Sequence, residues 1–161
     1  MGTTKQQAIH WPAVALAIFL PTAAAVVGSL FTAEAIPNWY AELAKPSFTP
    51  PNWIFGPVWT VLYLFQAVAF YMVYTSKSIY RTLGLSLFVA QIIANTAWSW
   101  IFFGLHQPAW AFVDIVLLWG LLLWTIIIFS CIKPTASLLL WPYLAWVTFA
   151  SALTVGITLL N

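Results

Sequence analysis

The feature that most constrains this chain is where its few charges fall. They and the turn-forming residues leave five long apolar runs, at about residues 10–31, 52–75, 82–103, 109–132 and 136–160, with a connecting stretch rich in proline and tryptophan at 32–51. Each run is roughly 22 to 25 residues, enough for a tilted α-helix to cross a ~30 Å hydrocarbon core. Spans of a β-barrel would alternate apolar and polar residues over ~10 positions, and these runs do not. The sequence therefore predicts an all-α integral membrane protein: a single transmembrane domain over residues 1–161, built as a five-transmembrane-helix bundle. Composition argues the same way. With 63% hydrophobic and 5% charged residues, the chain has too few ionic groups to coat a water-soluble globule, so the lipid bilayer must be its solvent. Five basic and three acidic residues are too sparse a charge pattern for a nucleic-acid partner. Cys131 is the single cysteine, so no disulfide forms within the chain. Ala33-Glu34-Ala35 resembles a signal-peptide cleavage site, but the apolar run before it exceeds the ~7 to 15 residues of a signal core, and the first segment is expected to be retained.

Five spans put the two termini on opposite sides of the membrane. The N-terminal segment and the second and fourth loops carry Lys5, Lys77, Arg81 and Lys133 with no acidic residue, whereas the other side carries Lys45 with Glu34 and Glu42. By the positive-inside rule the N-terminus is cytoplasmic and the first loop faces outward in a bacterial plasma membrane. Within that loop, Pro46, Pro50 and Pro51 fix their own backbone angles and hold their neighbours extended, so residues 45–52 should form a stiff, non-helical strap. Pro57 falls early in the second helix, where its missing N–H costs little. A strap bearing Trp39, Tyr40, Phe48 and Trp53 can cap the mouth of a bundle, or its rings can sit at headgroup level as interfacial aromatics do.

Polar residues inside the spans are the most informative, because in hydrocarbon they need partners or a cavity. Gln91, Asn95 and Trp98 share a face of the third run; Trp59, Tyr63 and Gln66 share one of the second; Trp110 and Asp114 one of the fourth; Tyr143, Trp146, Ala150, Leu153 and Thr154 make a stripe on the fifth. Four helices each offering an aromatic and a polar group suit a pocket for a large, flat, mostly apolar ligand. Plain interhelical packing is the competing account, with small residues such as Ala24, Gly28, Ala90, Ala94 and Ala97 bringing backbones close. Asp114, the one acid expected within a span, fits either a structural hydrogen bond or ligand or proton handling. His10 and His106 should lie at opposite ends, roughly 30 Å apart, so they cannot share a haem. Metal and covalent chemistry lack a motif: there is no HExxH, CxxC, phosphate loop or nucleophile triad.

The stretches WYAELAKPSFTPPNWIFGPVWTVLY, ANTAWSWIFFG, QPAWAFVDIVLLW and PYLAWVTFASAL, in this order, resemble the translocator protein family, also called tryptophan-rich sensory proteins and formerly peripheral benzodiazepine receptors. The resemblance covers nearly the whole chain. It implies a five-helix bundle, usually a homodimer, whose pocket opens toward the first loop and binds tetrapyrroles of the protoporphyrin IX type and hydrophobic drug-like molecules. No obligatory cofactor is implied; the porphyrin is a ligand. Carried over by position, the ligand-binding residues are Phe55, Val58, Trp59, Asn95, Trp98, Trp110, Asp114, Trp146, Ala150 and Leu153. A receptor or sensor that binds its ligand in this pocket is the leading expectation, with movement or scavenging of the ligand left open. Light-dependent porphyrin degradation through Trp59 and Trp146 is an alternative, and a small proton-coupled transporter a further one, although no inverted repeat or broken helix supports alternating access. The sterol motif of eukaryotic members needs an aromatic and a basic residue near the end of the fifth helix; residues 154–161 contain neither. Thr154 stands where many relatives carry asparagine.

Overall fold

The computed structural model describes residues 9–161. Five helices among these residues are long and apolar enough to cross a membrane: Trp11–Ala35, Asn52–Tyr74, Arg81–Gly104, Pro108–Ile132 and Pro134–Leu160. They form an all-helical membrane bundle. In chain order the elements are α1 (Trp11–Ala35), a short α2 (Trp39–Glu42), α3 (Phe55–Tyr74), α4 (Arg81–Ser99), α5 (Pro108–Ile132), a short α6 (Pro134–Leu138) and α7 (Trp141–Leu160). A 3₁₀ turn at Asn52–Ile54 leads into α3, and a π-helical turn at Trp100–Gly104 ends the α4 span. Lys5, on which part of the orientation argument rests, lies outside the described residues.

Proline sets the starts of these helices. Pro12, Pro108, Pro134 and Pro142 each occupy one of the first two positions of α1, α5, α6 and α7. There the missing N–H would have had no intrahelical partner, and the fixed φ suits the first turn. Pro21 is the exception, buried inside α1. Close helix approach is visible at glycine: a Cβ on Gly84 would sit 3.1 Å from Ile132 and 3.2 Å from Phe129, so α4 meets α5 where no side chain intervenes. At Gly28 a Cβ would likewise sit 3.3 Å from Ser99 Oγ, so α1 comes close to α4 there.

The end of the bundle away from the strap is solidly filled. Phe88 lies 5.1 Å from Phe70 and stacks parallel on Phe129 at 6.2 Å, with Val73, Leu122, Ala136 and Leu140 closed around them. Above this layer Gln91 Nε2 donates to Gln66 Oε1 at 3.0 Å, with both residues fully buried. These two glutamines tie α4 to α3, a bond of about 0.6 to 2 kcal/mol in a membrane. On the lipid-facing side Trp119 Nε1 donates to Thr148 Oγ1 at 2.9 Å and joins α5 to α7.

At the other end α1 runs on to Ala35, and the connection to α3 is built in two parts. The α2 turn places Tyr40 inward, 5% exposed, while Trp39 stacks flat on His106 at 4.3 Å. From Leu43 to Pro51 the chain is non-helical, as the prolines demand. This strap is pinned to α7. Asn161 Oδ1 accepts from Ala44 N at 3.0 Å, and Asn161 Nδ2 donates to Ala44 O at 3.0 Å. Pro46 lies so close to Gly156 that a Cβ there would overlap its ring, and Phe48 meets Phe149 edge-on at 6.3 Å.

Candidate functional site

Between the filled end and the strap, the five spans enclose a cavity of about 400 Å³, inside the 300–1,000 Å³ range usual for small-molecule sites. Aromatic side chains build two of its walls. On one, Trp59 stacks on Tyr63 at 5.4 Å and meets Tyr143 edge-on at 5.9 Å, while Phe55 packs against Trp146 at 5.7 Å. On the other, Trp98 stacks on Phe102 at 5.2 Å and stands perpendicular to Phe103 at 5.9 Å. Ala150, Leu153 and Thr154 continue the α7 side, and Ile115 and Leu118 enter from α5. The α1 wall is thin because it is made of Ala24, Ala25, Gly28 and Ser29.

The chemistry of the lining is neutral. Among the described residues no lysine, arginine, aspartate or glutamate contributes to it. Asn95 Nδ2 donates to the Tyr63 hydroxyl at 2.9 Å, which leaves that hydroxyl's own proton for a second partner. Trp98 Nε1 is buried and has no hydrogen-bond partner among the described residues. Thr154 spends its proton on Ala150 O at 2.8 Å and retains acceptor capacity. An apolar slot with a few donors and acceptors suits a flat, extended ring system carrying limited polar decoration.

Seven of the ten residues singled out from the sequence line this cavity together: Phe55, Trp59, Asn95, Trp98, Trp146, Ala150 and Leu153. Three do not. Val58 packs sideways into the bundle core, one position and so about 100° around the helix from Trp59. Trp110 is 66% exposed and turned outward: Ala111, Ile115, Leu118 and Leu122 hold the inward phase of α5, which puts the preceding residue on the face of Val113 and Leu117. Asp114 is half-buried beside that phase, with Oδ2 shut away and unpartnered, but it does not reach the cavity. The strap also differs from a lid of proline and tryptophan. Its residues from Leu43 to Pro51 do not line the cavity, which Asn52 borders from the turn that follows; Trp53 is 73% and Phe48 53% exposed, and the roof comes from Ile36 and Tyr40 instead. The Lys45 ammonium rests 4.7 Å over the Tyr40 ring, and burial pushes the Tyr40 phenol above its usual range, keeping it neutral.

Sequence reasoning missed the α1 wall and Phe102, whereas Tyr40 was among the rings expected to cap the bundle. A wall of small residues reads as close packing, which is what Ala24 and Gly28 promise in isolation. Its signal is the combination of Ala25, Ser29 and Thr32 on one stripe without a bulky partner on α3. Phe102 stands four residues after Trp98, so helical spacing alone puts it on the same face; being apolar, it carries no polar signal of a site.

Comparison with known proteins gives one consistent result. Residues 17–160 match the model of the TspO/MBR family. The chain is 42% identical to a tryptophan-rich protein TspO of Chlorobaculum tepidum, covering 92% of this chain and 95% of that one. It is 39% identical to a translocator protein of Homo sapiens, covering 83% and 80%, and 36% identical to protein CrtK of Rhodobacter capsulatus, covering 86% of each.

Proposed function

We propose that this chain, which belongs to the TspO/MBR family, is a membrane receptor or sensor that binds one tetrapyrrole of the protoporphyrin IX type in the cavity between its helices. The observation that carries the reading is the convergence of Trp59, Trp98 and Trp146 on one neutral cavity around the Tyr63–Asn95 pair. A porphyrin macrocycle offers π-faces to the tryptophan walls and polar groups at its edge to the free donors. The same slot takes other hydrophobic drug-like molecules. The porphyrin is a ligand here and no cofactor is obligatory. The working unit is a homodimer in the lipid bilayer, with no nucleic-acid partner. The strap end faces outward from a bacterial plasma membrane, because Lys77, Arg81 and Lys133 cluster at the opposite end.

The test is a dark titration of detergent-purified protein with protoporphyrin IX, followed by tryptophan quenching and porphyrin absorption. Wild type should saturate near one ligand per chain, and the Trp59→Phe, Trp146→Phe double variant should bind at least tenfold more weakly. Identical curves, or no saturation, would remove the tetrapyrrole assignment. Light-dependent degradation of the porphyrin is the second reading, favoured by the fact that both Trp59 and Trp146 line the cavity. Under illumination in air it requires product beyond one equivalent per chain, lost in the double variant.

A further inference from the structure

The strap covers the end of the cavity except at Asn52, which lines the cavity and is exposed. Tyr40 is 5% exposed beneath the Lys45 ammonium, and the strap is fastened to α7 by the two Asn161–Ala44 hydrogen bonds and the Pro46–Gly156 contact. From Asn52 the opening continues down the flank of the bundle. Ser29 of α1 and Gly56 and Thr60 of α3 line it and are at the same time exposed, with Ala25 half-buried behind them. At the far end the same two helices are shut, with His10 against Tyr74 at 5.6 Å and Ala13, Ala17 and Val73 buried. The helices therefore part only along their strap-side halves, where the facing residues are too small to fill the gap.

The depth of this slit decides what it opens to. Gly56 and Thr60 lie about 6 and 12 Å along the helix from Asn52, and Ser29 lies about 9 Å from the Ala35 end. A span of this length exceeds the ~30 Å hydrocarbon core by only a few ångström, so all three residues face acyl chains. The slit is also chemically quiet. Ser29 Oγ donates to Val26 O at 2.7 Å and Thr60 Oγ1 to Gly56 O at 2.9 Å, so neither hydroxyl has a proton left to be desolvated by a passing apolar ligand.

We propose that the ligand enters and leaves sideways, through the slit between α1 and α3, from the strap-side leaflet of the bilayer. The site then selects for compounds that first partition into the membrane, and it exchanges with other membrane-dissolved pools without passing through water. The choice of porphyrin as probe rests on the binding reading above; the slit itself rests on exposure and depth.

The Gly56→Leu variant tests the route, because a Cβ at Gly56 meets no atom within 4 Å and the added side chain projects into open space. Protein in lipid nanodiscs is loaded with protoporphyrin IX and chased with excess empty liposomes, and dissociation is followed by recovery of tryptophan fluorescence. A plugged slit should slow dissociation at least tenfold, whereas mere damage to the site would speed it. The Asn161→Ala variant, which frees the strap, should leave the rate unchanged. Wild-type or faster dissociation from Gly56→Leu, or a tenfold acceleration in Asn161→Ala, overturns the lateral route. Absence of saturable porphyrin binding in wild type would instead sink the binding reading. The route is then decided with a phosphatidylcholine carrying a diazirine on its acyl chain. Photolabel at Ala150 or Leu153 that disappears in Gly56→Leu supports the slit; label confined to lipid-facing residues such as Leu64 overturns it.

Discussion

The two ends of the bundle are made from the same kinds of residue and do opposite things. At the far end, Phe70, Phe88 and Phe129 fill the space between three helices, and Gly84 lets α4 and α5 close on one another. At the strap end, Phe55, Trp59, Trp98 and Trp146 stand around a void of about 400 Å³. Aromatic content alone therefore does not make a binding site. What differs is the fourth side: α1 presents buried Ala13 and Ala17 to a closed interface at the far end, and Ala25, Ser29 and Thr32 to a gap at the other. In lipid, where exclusion of water adds little, contact between side chains holds helices together, so a wall without bulky side chains leaves a cavity.

Truncation should separate the ends most sharply. Phe88→Ala removes a fully buried ring from the filled end and is expected to cost about 3 to 5 kcal/mol. Ala150→Phe adds a ring where space exists, so it should cost less than the roughly 1 to 3 kcal/mol of overpacking a filled core while abolishing saturable porphyrin binding. Unfolding midpoints in detergent, read beside the titration, check both; equal destabilisation would erase the distinction.

Glycine gives the next largest contrast. Gly84→Leu must displace Ile132 and Phe129 and should cost about 1 to 3 kcal/mol. Gly56→Leu meets nothing, so its unfolding midpoint should equal or slightly exceed that of wild type, helped by the higher helix propensity of leucine. A large loss in Gly56→Leu would mean that the slit is closed in the membrane.

The smallest effect sharpens the boundary of the open region. Asn161→Ala removes two hydrogen bonds to Ala44 and should cost about 1 kcal/mol, felt locally. Amide exchange should speed up at Ala44 and its neighbours in the strap and remain unchanged at Phe88 and Phe129. Faster exchange throughout the bundle would show the strap to be part of the folding core.

Much of this architecture was legible residue by residue. Hydrocarbon admits only long apolar helices, and the prolines at helix starts and in the strap act through their own backbone geometry. The shared faces of Trp59 with Tyr63, of Asn95 with Trp98 and of Trp146 with Ala150 follow from 3.6-residue periodicity, which neighbours do not alter. Trp110 and Asp114 show the limit. Their spacing marks a common face of α5, but spacing does not say which way that face points; the packing of Ala111, Ile115 and Leu118 does. Gln66 and Gln91 show it again, since the same polar residues would have served a ligand equally well had they not found each other.

By itself, then, the sequence determined the solvent of this protein, the number of its spans, the non-helical course of the strap and the side chains each helix could offer, although the first span runs on to Ala35, four residues past its expected end. Those properties depend on local composition and on backbone angles. Only the tertiary structure decided that the cavity has a thin α1 wall, that of the candidate capping rings Tyr40 roofs it while Phe48 and Trp53 do not, that the strap is tied to α7 at Asn161, and that the opening faces lipid. Each of these depends on helices brought together from distant parts of the chain, and the width of a gap is set by the residues on both of its sides.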